Sequence, residues 1–489
     1  MEGTHAEHDV LLLSSALGAD ALFVRAVDGV AAVSTLFSYD VTFQSKHGPL
    51  DDDTLQAMLD GHAALAFGPL GRSPIFGVLR SVSAVPSATA HTWEYQAVLA
   101  PRAWVCGLAH RSRVFQDLAA HEVALRVLKD HGMREGEHVE LRLRQRHPKR
   151  EYVVQYQETD LDFLSRLLEH EGIFYFFEHT AGGDVMVLGD SNDAFRPLAP
   201  SDQIAYRPTG GRADQPEAVQ AIGRTLRKVS QEVCLRDYNY RTPSTAVVGR
   251  APVHASGHGV WAEYGEHVKN SDDATRVARM VAEEIGSQRL RYEGRATLTG
   301  ALPGATFTLL DHEDSAYGEP LVVLSTIARA RQSAERGATP DDNEAWNVRF
   351  TALRTADPYR PPRSTPWPSI AGLMYGKIDG ATPGTLAPLD DQGRYRVVLP
   401  LDSAAKTGGA ASRWIRMAQP FAGGAYGMHF PLHIGAEVVI AHVEGDPDRP
   451  VIVGAVPNPE TSSPVTSHNA SQSVVRTRAG IHIEFEDDA

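Results

Sequence analysis

The sequence predicts an α+β fold that is mainly β, with a large N-terminal region and a smaller, strand-rich C-terminal one. Its 42 glycines and 30 prolines form about 15% of the 489 residues, above the usual share of about 12%, which indicates many turns and short strands. Predicted helices and strands follow one another in mixed order, which favours antiparallel barrels over a βαβ series. Five prolines in residues 357–368 predict a stiff, extended connector between the two regions.

Three helices are predicted in the N-terminal region, because apolar residues recur there at helical spacing. The first, Asp117–His131, ends before Gly132, a residue type favoured just after a helix. The second, Asp160–Glu171, likewise ends before Gly172, and the third covers Asp273–Arg289. We therefore expect helical insertions among the strands of this region.

Seven strands are predicted around these helices from short apolar or alternating runs. They are Phe37–Gln44, Trp93–Leu99, Glu151–Tyr156, Ile173–Phe177, Asp184–Leu188, Thr306–Leu310 and Leu321–Ala328. Past the connector four more are predicted, at Gly393–Leu399, Ser412–Ala418, Ala436–Val443 and Pro450–Val456. Four such strands within about 85 residues suit a small closed barrel of the OB type.

The final stretch, Ile481–Glu486, alternates strictly between apolar and polar residues. Ile481, Ile483 and Phe485 share one face of the predicted strand, and polar residues occupy the other. No later strand follows in the chain that would cover the apolar face.

Charge, cysteine content and the N-terminal residues argue against several classes to which the protein could belong. With 47 Lys+Arg against 61 Asp+Glu, the net charge of −14 argues against a general nucleic-acid binder. Cys106 and Cys234 are too few and too distant for a disulfide scaffold or a structural zinc site. The acidic start and the short apolar run Val10–Leu13 do not resemble a signal peptide. We expect a protein assembled in the cytoplasm and, if exported, released without a cleaved leader.

Two carboxylate pairs were weighed as sites of chemistry. Glu169 and Glu171 invite comparison with a glycosidase pair, but residues two apart on a helix do not face each other. Asp446 and Asp448 offer two carboxylates where calcium needs six to eight oxygens, so turn residues are the favoured interpretation. No motif for phosphate binding, nucleophilic catalysis or metal hydrolysis is found, and we predict no catalytic residue, cofactor or metal.

Histidine and aromatic residues give two further candidates. His254 and His258 could bind a metal, but no cysteine or carboxylate cluster lies near them in sequence, so loop histidines are favoured. Trp414, Phe421 and Tyr426 could stack bases on the predicted barrel. The region from residue 366 onward carries more acidic than basic residues, however, so packing is the favoured role.

Four segments together resemble a known family. Val154–Phe177 (VQYQETDLDFLSRLLEHEGIFYFF) is similar to the signature of VgrG proteins, the spikes of bacterial type VI secretion systems, which are related to the hub and spike proteins of contractile phage tails. Tyr95–Gln116, Gly304–His312 and Trp414–Asn458 match further family stretches in the same order. Residues 158–160 read Glu-Thr-Asp where the family usually has Glu-Ser-Asp, which keeps the hydroxyl.

The resemblance implies a division into three parts. Residues 1–365 would form a phage-hub-like region with two tube-forming β-barrels and an α/β insertion. Residues 366–459 would form the OB-type barrel, and residues 460–489 the start of an intertwined trimeric β-prism.

The same resemblance implies a mechanical function and its partners. A homotrimer would cap an Hcp-type tube hexamer, adapt sixfold to threefold symmetry, carry a PAAR-type tip and effectors or adaptors, and puncture target envelopes. Ile481, Ile483 and Phe485 are then the predicted trimer interface. Two alternatives stay open: a spike with peptidoglycan hydrolase activity, and an OB-type ligand-binding module.

Overall fold

The computed structural model describes residues 10–18, 21–67, 72–86, 92–208, 217–332, 346–402 and 406–488. It confirms the predicted α+β, mainly β fold. The chain groups into two compact units. The first contains residues up to 109, 120–147 and 160–365, and the second contains 110–119, 148–159 and the residues from 366 onward.

The strands within the described ranges follow in chain order. The earlier ones are β1 (Val10–Ser14), β2 (Leu22–Ala32), β3 (Thr35–Ser45), β4 (His62–Phe67), β5 (Arg72–Val85), β6 (Glu94–Ala100), β7 (His110–Phe115), β8 (Val139–Arg142), β9 (Val153–Thr159), β10 (Phe174–Thr180), β11 (Gly183–Gly189), β12 (Arg196–Pro197), β13 (Gln203–Ala205), β14 (Val219–Leu226), β15 (Glu232–Asp237), β16 (Val247–Pro252) and β17 (Val260–Tyr264). The later ones are β18 (Leu290–Ala296), β19 (Ala305–Leu310), β20 (Leu321–Arg331), β21 (Asn347–Arg354), β22 (Met374–Ile378), β23 (Val397–Val398), β24 (Ala422–Gly423), β25 (Tyr426–Gly427), β26 (Glu437–His442), β27 (Pro450–Ala455), β28 (Gln472–Arg476) and β29 (His482–Glu486).

The α-helices are α1 (Asp52–Asp60), α2 (Ala120–Asp130), α3 (Asp160–His170) and α4 (Ser271–Ser287). The last three confirm the predicted helices with small shifts of their ends. Helix α2 begins three residues later than predicted because Asp117 has a φ of 56°, which an α-helix cannot contain.

One large sheet organises the first unit. Its strands follow the order β1-β4-β5-β6-β3-β2-β20-β21-β18-β14, and β19 with the short β12 and β13 lies beside β20. Strand β20 pairs with β2 of one half and with β19 and β21 of the other. The sheet therefore consists of two halves that share β20 at their junction.

A glutamine side chain links two strands in the first half of this sheet. Gln332 accepts the Val10 N–H at 2.7 Å and donates to the Val10 carbonyl at 2.9 Å, so its amide pairs with β1 as a neighbouring backbone would. The same amide nitrogen donates to the Val24 carbonyl of β2, also at 2.9 Å. Because β1 is the end strand of the sheet, this amide links it to β2 at the other side of the same half.

Two smaller sheets complete the first unit, in the orders β10-β11-β8 and β16-β15-β17. Helix α4 packs its Val277 and Val281 side chains against Val233 and Leu235 of β15. Full burial of such side chains stabilises the fold by roughly 1.5–3 kcal/mol each. Among the described residues, no helix is both long and apolar enough to cross a membrane.

The second unit contains a sheet of order β23-β22-β26-β27. Its core includes the fully buried Tyr395, Ile440 and Ile452, and two residues from much earlier in the chain, Tyr152 and Val154, belong to the same cluster. The Val154 N–H donates to the Asp448 carboxylate at 2.6 Å. The early strands β7 and β9, which pair with each other, are thus part of this unit although they lie within the region predicted as the hub.

Several strand predictions in the second unit need correction. The predicted strand Ser412–Ala418 forms only single-residue bridges, at Ile415 and Met417. The predicted strand Gly393–Leu399 reduces to β23. Strands β22 and β28 were not predicted. Strand β28 pairs with β29 and is the neighbour that the last predicted strand lacked.

Candidate assembly surface

Exposed apolar side chains are concentrated in the second unit. Of the 25 large apolar side chains that remain exposed in the described parts of the chain, 15 lie in residues 366–488, about a quarter of its length. A high density of exposed apolar side chains is typical of a surface that contacts a partner.

Strands β28 and β29 form a hairpin that presents part of this surface. Val475 lies opposite Ile483, and Ser473 lies opposite Phe485. Cross-strand neighbours share a face of the sheet, so Val475 extends the apolar face predicted from β29. Ile481, Ile483 and Phe485 are 68%, 52% and 63% exposed. The described chain leaves this face open, and its role as a trimer interface stays a prediction.

The opposite face of the hairpin is polar and internally paired. Gln472 donates to Glu484 at 2.8 Å, and His482 lies 3.2 Å from the same carboxylate group. At the turn, the Thr477 N–H donates to the Ile481 carbonyl, and Gly480 has a φ of 90° that favours glycine. The hairpin is therefore amphipathic and ordered by its own hydrogen bonds.

The proline-rich connector, predicted to be stiff and extended, is held against the first unit by buried contacts. Tyr359 is buried against Phe174 and Phe195. Arg360, only 6% exposed, donates to the Glu283 carboxylate at 2.6 Å and to the carbonyls of Gly172 and Asp190 at 3.1 and 2.6 Å. A guanidinium that satisfies three acceptors in a buried site fixes the chain at this point.

A second arginine and a threonine extend this anchor. Arg363 pairs with Glu263 at 2.8 Å and with Glu266 at 3.0 Å. Burial would raise the pKa of Glu266, but the hydrogen bond and charge of His170 and the charge of Arg363 outweigh it and hold that pKa well below its usual range. Thr365 donates its N–H and its hydroxyl to the two oxygens of one Glu169 carboxylate.

A buried histidine lies beside the anchor, close to its acceptors. His147, 8% exposed, contacts the carboxylates of Asp190 at 3.0 Å and Glu171 at 3.8 Å. Burial opposes the charged imidazolium, but hydrogen bonds and charges of both carboxylates outweigh it and raise the pKa of His147. The nearby His121, whose ring lies 5.8 Å away, has its pKa lowered by burial and by His147, and Arg276 pairs with Glu171.

We expect the contribution of His147 to the stability of the first unit to decrease as the pH rises above about 6.5. A histidine whose pKa is raised by folding contributes stability below its unfolded pKa of 6.5, and the contribution disappears as the pH passes the folded pKa. Urea unfolding of the parent and of His147→Gln at pH 6 and pH 8 measures this. The free-energy difference between the two proteins should be larger at pH 6, and an equal difference at both pH values would contradict the assignment.

The residues weighed for chemistry have structural partners. Glu169 binds Thr365 and Glu171 binds Arg276, so the two carboxylates face different partners, as their spacing predicted. His254 accepts the Ser256 N–H at 3.1 Å. Among the described residues, no group of three or more His, Cys, Asp or Glu side chains could hold a metal ion.

Asp446 and Asp448 are turn residues, as predicted, since Asp446 accepts the Asp448 N–H; the Asp448 carboxylate also accepts the Val154 N–H of β9. Trp414 packs beneath the Arg396 guanidinium, 4.7 Å from the ring centre. The other two aromatic candidates, Phe421 and Tyr426, are 56% and 62% exposed, so packing within this chain does not explain them.

Family models match most of the chain. The phage tail baseplate hub (GPD) model matches residues 30–334. The type VI secretion system/phage-baseplate injector OB domain model matches residues 384–456.

Individual relatives align with nearly the whole of this chain. The type VI secretion system spike protein VgrG5 of Pseudomonas aeruginosa is 29% identical over 468 residues, which cover 93% of this chain and 58% of VgrG5. The actin cross-linking toxin VgrG1 of Vibrio cholerae is 29% identical over 478 residues, or 93% of this chain and 42% of the toxin. This chain thus spans less than two thirds of the length of either relative.

The solved structure of the Escherichia coli c3393 protein, a component of the type VI secretion system with structural similarity to the phage T4 tail proteins gp27 and gp5, shares the fold. It superposes with a TM-score of 0.67 at 21% identity, covering 91% of this chain and 99% of that one. The hub model alone accounts for more than half of the chain. The chain therefore belongs to the phage tail baseplate hub family, and its predicted resemblance to VgrG spike proteins is confirmed.

Proposed function

We propose that this chain is the structural spike of a contractile injection machine and that it acts as a homotrimer. The observation that carries the proposal is the open apolar face of the C-terminal hairpin, where Ile481, Ile483 and Phe485 point away from their own chain. Three copies around one axis would bury these faces against one another. Relatives that are spike proteins support the same role.

Symmetry supports a position at the end of a hexameric tube. Each chain contributes two sheet halves joined at β20, so three chains would present six comparable surfaces in a ring. Such a ring would fit an Hcp-type tube hexamer and narrow to a threefold point. We propose the hub for residues 1–365, the OB barrel for 366–459 and the start of the needle from 460, with a PAAR-type tip and effectors or adaptors carried beyond it.

A mechanical role suits the chemistry of the described residues better than hydrolysis. A peptidoglycan hydrolase needs two carboxylates placed across one bond, whereas Glu169 and Glu171 are each engaged by a structural partner. No observation favours an OB-type ligand, and the actin cross-linking named for the Vibrio cholerae relative remains a property of that protein. We propose assembly in the cytoplasm followed by secretion.

The test is assembly of the purified chain with a purified Hcp-type hexamer. Light scattering should give the mass of three chains, and electron microscopy should show a threefold particle seated coaxially on the sixfold ring. A particle that stays monomeric at micromolar concentration, or that binds the ring off its axis, would contradict the proposal. Clearing of purified peptidoglycan by the trimer would favour the hydrolase alternative.

A further inference from the structure

A second exposed apolar element projects from the barrel unit. We call residues 418–431 the finger; every residue from 421 to 431 is exposed. Between Arg416 and Glu437 there is no charged residue, although 22% of the whole chain is charged. Four large apolar side chains, Phe421, Tyr426, Met428 and Phe430, are 56%, 62%, 43% and 46% exposed. So much apolar surface without a charge is unfavourable in water unless a partner covers it.

The finger is ordered by its own contacts. Strands β24 and β25 pair across it, and the Met428 N–H donates to the Phe421 carbonyl at 2.9 Å. The Tyr426 ring lies over Gly423, where a β-carbon would come within 2.2 Å of it, and packs against the Phe421 ring at a tilt of 42° with ring centres 5.3 Å apart. Gly423 is therefore required for this arrangement of the two aromatic side chains.

The base of the finger is attached to the barrel core through one tyrosine. The His429 ring stacks on the fully buried Tyr395 with centres 6.4 Å apart. The Tyr395 hydroxyl also accepts the Leu432 N–H at 3.1 Å. The finger backbone is therefore held by hydrogen bonds within the finger and by Tyr395 at its base. Because it is already ordered, little conformational entropy is lost when a partner covers the exposed side chains.

The finger adjoins the hairpin that we propose as the trimer interface. At its base, the Ile434 carbonyl accepts the Gly384 N–H at 2.9 Å. A β-carbon built at Gly384 would lie 3.9 Å from the guanidinium of Arg478, which belongs to the hairpin turn. The finger base and the hairpin turn thus lie on either side of the segment around Gly384.

We propose that the finger packs on the second unit of another copy of this chain. Two identical chains each carry a net charge of −14 and repel each other, so an uncharged surface is where they can meet at least cost. The exposed aromatic and methionine side chains are those that dominate protein interfaces. Other apolar side chains of residues 366–488 are exposed and so are available on the neighbour for this contact. The inference rests on the proposed trimer and adds a second contact to it.

Photo-cross-linking tests the proposed contact with little disturbance of the fold. A benzophenone amino acid in place of Tyr426 should give covalent dimers and trimers of this chain on a denaturing gel. Mass spectrometry should place the partner peptides within residues 366–488. The matched control replaces Trp261, which is 48% exposed in the first unit and should give no such products. If the protein is trimeric but Tyr426 cross-links only within its own chain, the inference is wrong.

Dilution measurements give a second, quantitative arm. The variant Phe421→Ser/Phe430→Ser should dissociate at a concentration on the order of a hundredfold higher than the parent, about tenfold for each aromatic side chain. Leu226→Ser, 66% exposed in the first unit, is the control and should leave dissociation unchanged. If the parent is trimeric and the finger variant dissociates at the same concentration, this inference is wrong but the proposed function stands. A parent that is monomeric throughout would overturn the proposed function as well.

Discussion

Replacing Ile481, Ile483 and Phe485 together by serine is expected to convert the trimer into monomers. These side chains keep between half and two thirds of their surface exposed within one chain, so most of their apolar area remains available for burial. Across nine side chains this amounts to on the order of 10 kcal/mol before the entropic cost of association. Light scattering over a dilution series measures the result.

The control lies on the same strand. Glu484→Gln keeps a hydrogen-bond acceptor for Gln472 on the polar face of β29 and should leave the trimer intact, or strengthen it slightly, since it removes a negative charge from each chain. Ile481→Val/Ile483→Val keeps the apolar face and should also remain trimeric. A serine triple variant with the dissociation constant of the parent would remove the hairpin from the interface.

The second large effect is expected at the connector. Arg360→Ala should destabilise the first unit by about 2–4 kcal/mol, because it removes the ion pair with Glu283, takes the donor from the Gly172 carbonyl, and leaves the Asp190 carbonyl with the weaker bond from Gln145 at 3.4 Å. Arg360→Lys retains the positive charge but not the planar guanidinium with its several donors, so the loss of unfolding free energy should be smaller than for Arg360→Ala. Urea unfolding followed by circular dichroism measures both.

A matched surface variant separates this effect from the general loss of an arginine. Arg329 is 59% exposed and pairs with Asp28 at 3.4 Å, so Arg329→Ala should cost less than about 1 kcal/mol. A loss at Arg360 no greater than at Arg329 would mean that the anchor adds nothing to stability.

The sequence predicted elements that depend on local pattern. Helix α2 and strand β26 appear where periodicity places them, because the helix buries one stripe and the strand one face of regularly spaced residues. The final strand was predicted for the same reason. Strand β28 was missed because its residues, QSVVR, do not alternate between apolar and polar.

Contacts between distant segments could not be predicted in this way. The five prolines of the connector predict an extended backbone, but nothing local indicates that Arg360 reaches Glu283, 77 residues earlier. Similarly, Phe421 and Tyr426 are aromatic, and aromatic residues usually pack in a core. Only the structure shows that the finger keeps both side chains exposed. Their exposure depends on the whole barrel, which no window of sequence contains.

The discontinuous second unit has a consequence for synthesis and for engineering. Val154 leaves the ribosome 294 residues before its hydrogen-bond acceptor, Asp448, so the barrel core stays incomplete until Asp448 has also been synthesised. A fragment starting at residue 366 lacks Tyr152 and Val154 and should be prone to aggregation. A chimera that exchanges the barrel between relatives therefore needs residues 110–119 and 148–159 from the same donor as residues 366–488.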